Sequence, residues 1–229
     1  MRSFACAAVV SLAAAAAVLA CLPDPQKDFD DFKSRTAGIG ESEAGGGDLD
    51  AAIDSKPPEV ATEALYVGIC VTALASKDPE EALRFYTKTK YVPDPAGGGK
   101  LTLEVTPLLG WDNGGYVTPM SVSQGQTRGT PLTKDDITVA AGTNRFTANL
   151  GVLNLPGAAN SISGRDAVIN NATLDGKFGT GAFCSTLGGH LTVPYEYDFV
   201  PSENTCLFIE VKEGDPVPVK KGSDFVCPL

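Results

Sequence analysis

Few residues in this chain could do chemistry, and their spacing limits what they could do. There are six cysteines and a single histidine, His190. One imidazole is too few for multi-histidine zinc, copper or non-haem iron centres, so neither a metal nor another cofactor is expected. Cys184 and His190 stand six apart across Gly188-Gly189, a spacing at which a tight turn would set a thiolate beside an imidazole. A cysteine with three possible partners is expected in a disulfide instead. Gly97-Gly98-Gly99-Lys100 lacks the Lys-Ser/Thr ending of a phosphate loop and reads as a hairpin turn. There is no Gly-x-Ser-x-Gly nucleophile elbow. Trp111, Tyr116, Tyr195 and Tyr197, with the loop Asp112-Asn113-Gly114-Gly115, make the candidate ligand surface, because rings carried on loops can stack on a glycan or a protein partner.

Glu196-Tyr197-Asp198 resembles part of the Glu-x-Asp-x-x-Glu signature of jelly-roll glycoside hydrolases, which implies carboxylates acting on a glycosidic bond. The third carboxylate is missing, with Val200 and Pro201 where it belongs. A hydrolase needs a second properly placed carboxylate. The alternation is therefore read as an ordinary strand, with Val193, Tyr195, Tyr197 and Phe199 inward and Glu196 and Asp198 outward. A cryptic glycan hydrolase stays as an alternative.

These residues depend on where the chain resides and on what holds them. Arg2 is the only charge before an apolar run from Phe4 to Ala20, the anatomy of a signal peptide over residues 1–20. Val18-Leu19-Ala20-Cys21 resembles the lipobox of bacterial lipoproteins, which implies cleavage before Cys21 and a diacylglycerol thioether on its sulfur. In that family a Leu at the position of Leu22, rather than Asp, implies the outer membrane, on either face. Ordinary cleavage after Ala20 and an uncleaved anchor are the alternatives. Residues 21–60 read as a disordered acidic tether: Cys21 to Glu59 holds ten acidic residues against four basic and is rich in Gly and Pro. Asp28-Phe29-Asp30-Asp31-Phe32 within it lacks the loop spacing of a calcium site.

With Cys6 lost in the leader and Cys21 acylated, Cys70, Cys184, Cys206 and Cys227 remain. An even number in an exported domain reads as two disulfides, with three connectivities open. We favour Cys70 with Cys206, on the first and last strong strands, and Cys184 with Cys227, pinning the tail.

Residues 61–229 read as one all-β domain. Leu83, Phe85 and Tyr91 share one parity and Arg84, Lys88 and Lys90 the other, the pattern of a half-buried strand. Leu101, Leu103 and Val105 repeat it after Pro93-Asp94-Pro95-Ala96-Gly97-Gly98-Gly99, and folding about Ala96 sets Lys88 opposite Glu104. Further strands are predicted near 64–75, 115–123, 136–140, 145–154, 165–175, 177–187, 190–200 and 205–212. Asn170-Asn171, Asp175-Gly176 and Gly188-Gly189 serve as turn punctuation. About ten short strands mean an antiparallel β-sandwich, jelly-roll-like, or a β-barrel.

Twenty-eight acidic residues against 18 basic, a net charge of −10, argue against a nucleic-acid partner. The expected function is that of a non-enzymatic envelope lipoprotein, membrane-bound through its lipid, whose β domain binds a partner or ligand. A lipocalin-like carrier of an apolar molecule is the second reading; it requires a cavity inside a closed sheet.

Overall fold

The computed structural model describes residues 56–227. The signal peptide, Cys21 and all of the tether before Lys56 lie outside the described residues. Eleven strands follow in chain order: β1 (Thr62–Val71), β2 (Leu83–Pro93), β3 (Gly99–Pro107), β4 (Trp111–Asp112), β5 (Gly115–Tyr116), β6 (Leu132–Val139), β7 (Arg145–Leu155), β8 (Ala167–Lys177), β9 (Ala182–Val193), β10 (Tyr197–Phe199) and β11 (Thr205–Val211). The only described helices are single 3-10 turns. Nine strands form one antiparallel sheet in the order β6-β3-β2-β1-β11-β9-β8-β7, with β10 added on β9. Its two ends, β6 and β7, are joined by a hairpin whose base is closed by Ala140 N–H donating to the Arg145 carbonyl at 2.8 Å. No ladder pairs β6 with β7 among the described residues, so the sheet is a nearly closed barrel.

The period-two pattern explains the barrel interior. Phe85, Tyr91, Leu101, Leu103 and Val105 turn inward and are buried with Phe146, Ile169 and Leu187. At the centre Phe183 stacks on Phe208, centroids 4.3 Å apart, and meets Tyr66, Phe146 and Phe178 within 6.0 Å. Gly68 faces this stack because a Cβ there would stand 2.7 Å from the Phe208 ring. Offset aromatic packing adds about 0.5–1.5 kcal/mol per pair beyond area burial. β1 is buried on both faces from Tyr66 to Val71, since a second apolar layer covers its outer side. That layer packs Val67, Ile69 and Leu207 against Val122, Val217 and Phe225, the last two from the C-terminal segment. Disulfides join Cys70 to Cys206, directly opposite each other on β1 and β11, and Cys184 to Cys227.

Lys88 lies opposite Glu104, their charged atoms 3.0 Å apart, as the fold about Ala96 predicts. Other expectations are corrected. Asn170-Asn171, Asp175-Gly176 and Gly188-Gly189 are not turns; all lie inside β8 or β9. The register slips between Asn170 and Thr173, a bulge that lets long strands coil around the barrel. A Cβ on Gly189, at φ +140°, would stand 2.7 Å from Ile169 Cγ2, so glycine there permits close approach rather than reversal. The predicted 115–123 strand reduces to the two-residue β5, which pairs with β4 across the Asn113-Gly114 turn. The segments 177–187 and 190–200 become β9 and the three-residue β10.

The two ends of the barrel differ. At one pole the chain reverses in short hairpins, at 94–98, 140–144 and 178–181. Four long connections, 72–82, 108–131, 156–166 and 194–204, start from the other.

Candidate functional site

The long-loop pole is built by mutual bonding of its loops. Ser161 Oγ lies 2.8 and 2.9 Å from the Glu81 and Ala82 carbonyl oxygens, which share its one proton, tying 156–166 to 72–82. Gly110 N–H donates to the Ala158 carbonyl at 2.8 Å, and Ala73 N–H donates to Asn204 Oδ1 at 3.1 Å. Beneath them the Arg84 guanidinium holds the 79–82 turn, donating to the carbonyls of Pro79, Glu80 and Ala82 at 3.1–3.2 Å. Arg84 was expected on a wet face and is buried, because this stretch of the outer sheet lies under the loop. Burial lowers its pKa, partly opposed by the charge of Glu80.

Trp111 and Tyr116 face each other across the β4–β5 ladder. The half-buried indole lies so close over Gly164, at φ +64°, that any Cβ there would overlap Nε1. The Tyr116 hydroxyl donates to Glu80 Oε2 at 2.7 Å, and that bond is the main reason its pKa is raised. Tyr195 is 50% exposed in the 194–196 loop and, with Ile162 and Ser163, borders a small void under the pole. The 156–166 loop thus lies between Trp111 on one side and Tyr195 on the other. Tyr197 does not join this surface: it is half-buried, with its ring edge-on to Phe199 at 5.3 Å. Of the four side chains expected inward, only Tyr197 and Phe199 turn in, while Val193 and Tyr195 are exposed where the strand breaks at 194–196.

Cys184 lies in its disulfide, not beside an imidazole. His190 Nδ1 instead stands 2.6 Å from Asp198 Oδ1, directly opposite it across the β9–β10 ladder. Glu196 is exposed in the loop before β10. Among the described residues no group of three His, Cys, Asp or Glu side chains could hold a metal, and no helix is long and apolar enough to cross a membrane. The void beside Tyr195 has about 20 Å³ of room for solvent, a water's worth, in an interior otherwise filled by side chains.

No family model, curated protein or solved structure matches this chain. Residue type alone singles out Trp111, Tyr116 and Tyr195; the structure adds Glu80, which bonds Tyr116, and Arg84 and Ser161, which hold the 72–82 connection that carries Glu80. Glu80 and Ser161 act on partners far along the chain, which no local pattern marks, whereas Arg84 clamps carbonyls two to five residues away, and parity alone sets it on the wet face.

Proposed function

We propose that the protein is an exported, non-enzymatic cell-envelope lipoprotein whose β domain binds a partner or ligand on its long-loop pole. The observation that carries this reading is the placement of Trp111, Tyr116 and Tyr195 on mutually bonded connections at one end of the barrel, on either side of the 156–166 loop. Rings held this way contribute contact area at small entropic cost. The filled interior favours binding at the surface over carriage of an apolar molecule inside. Two disulfides suit the oxidising compartments that exported proteins enter. The lipid would sit on Cys21 and the outer membrane would be its destination.

Two experiments test the two halves. Full-length protein made with its leader should incorporate an alkyne palmitate analogue, and Cys21→Ser should abolish the label; unchanged labelling would refute the anchor. In a screen of glycans, lipids and peptides, binding should fall in Tyr116→Ala and Tyr195→Ala. Binding that neither substitution alters would refute the pole as the site.

A further inference from the structure

Asn113, in the turn between β4 and β5, is the one asparagine of the chain that is followed by glycine. An asparagine side chain in that setting can condense on its own backbone. The peptide nitrogen of the next residue attacks the carboxamide carbon, so that an N–Cγ bond forms and the Cγ–Nδ2 bond breaks. The amide leaves as ammonia and carries off the proton that the attacking nitrogen gives up. Water then opens the five-membered imide to aspartate or to isoaspartate, which has one more methylene in the main chain. Glycine favours the attack because no Cβ shields its nitrogen.

The structure leaves this turn open. Asn113 and Gly114 are both exposed, and a Cβ on Gly114 or Gly115 would meet nothing within 4 Å. Among the described residues no acceptor takes the Gly114 N–H. The Asn113 carboxamide touches only its neighbour: Nδ2 donates to Asp112 Oδ2 at 3.1 Å, a contact that travels with the turn. Trp111 over Gly164 and Tyr116 on Glu80 pin the base of the hairpin, yet the ladder between them is two residues long. So short a ladder lets the tip rotate towards ring closure.

The other asparagines are shut. Asn160 precedes a small residue, Ser161, but is buried; its Nδ2 donates to Ser163 Oγ at 3.0 Å and to the Arg165 carbonyl at 2.8 Å. Asn204 is buried with Nδ2 on the Val200 carbonyl at 2.7 Å. Asn171 is exposed but lies inside β8, before the buried Ala172.

We propose that Asn113 is a site of spontaneous deamidation, which sets a new carboxylate, and in the isoaspartate product a longer main chain, between Trp111 and Tyr116. The reaction consumes water alone. It depends on the turn and not on what the pole binds.

The test incubates the purified full chain at pH 8 in water enriched in heavy oxygen and follows its tryptic peptides by mass spectrometry. Peptide 101–128, in which Asn113 is the only asparagine, should change from amide to acid and take up heavy oxygen about tenfold or more faster than the peptides that hold the other asparagines. Isoaspartyl methyltransferase should label the same peptide. Asn113→Gln, whose ring would have six members, should abolish the change, and unaltered far-UV circular dichroism verifies that the variant keeps its fold. Unfolding in guanidinium should speed conversion of Asn160 about tenfold or more but that of Asn113 less than about threefold, because the fold already leaves the tip open. No heavy oxygen in peptide 101–128 of the folded protein would overturn the inference, as would an Asn113 rate that rises on unfolding as much as that of Asn160.

Discussion

Replacing Cys70 and Cys206 together by alanine should destabilise the protein more than replacing Cys184 and Cys227. The first bridge spans a sequence separation of 136 and the second 43. Loop-closure entropy assigns about 5 kcal/mol to the longer loop and about 4 to the shorter at 25 °C, a difference of about 1 kcal/mol. The overlap of the two loops changes this little, because the route from 70 to 206 through the second bridge is almost as long as the direct one. Packing widens the gap a little: Cys70, Cys206 and Cys184 are all sealed, so the first pair loses one more buried sulfur than the second, worth roughly another 0.5–1 kcal/mol. Cys227 is only partly buried and lies in a segment that can fray without opening the sheet. A net difference of about 1.5–2 kcal/mol is therefore expected. Guanidinium unfolding of the two double variants and wild type, followed by far-UV circular dichroism, measures it. A Cys184/Cys227 variant less stable than the Cys70/Cys206 variant would refute the reasoning, since the tail would then be as integral to the barrel as its central strands.

Burial, followed by its bond to Glu213 at 2.7 Å, pushes the Tyr86 phenol up to about 12. The unfolded chain has this group near 10, so the fold favours the protonated form; that stability is whole below pH 10 and is lost as pH rises towards 12. Tyr86→Phe should flatten the decline, and denaturant midpoints that fall with pH as steeply as wild type would contradict it. Gly164→Ala should drive Trp111 off its seat, shift the emission of the only tryptophan and cost roughly 1–3 kcal/mol, whereas an unchanged spectrum and melting temperature would contradict the packing. Arg84→Lys replaces a planar fork by a single ammonium that cannot hold three carbonyls at once; about 1.5–3 kcal/mol should be lost, with new proteolytic cuts at 78–82, and an intact loop under protease would argue against the clamp.

Legibility followed the range of the interactions. The β2–β3 hairpin could be read to the residue, including Lys88 opposite Glu104, because a short breaker run and strict alternation set its register locally. The Gly and Asn pairs of β8 and β9 misled for a related reason: the same residues that turn a chain also permit a bulge or a close approach. Only the pairing with the neighbouring strand, about twenty positions along the chain, decides between the two. Arg84 was assigned to water by parity, which describes the two faces of a strand but not what later covers one of them.

By itself the sequence determined the class of the domain, its β periodicity and the even set of cysteines left for pairing, since these follow from side-chain alternation and composition. The tertiary structure alone decided that the sheet curls into a nearly closed barrel, that β1 is covered on both faces and that the long connections all start from one pole. Strand twist, bulge positions and the return of the C-terminal segment act between residues tens of positions apart and, where β1 meets β11, more than a hundred. Proximity of that kind leaves no local pattern, and it is what brings Tyr116 to Glu80 and sets Trp111 and Tyr195 about the same loop.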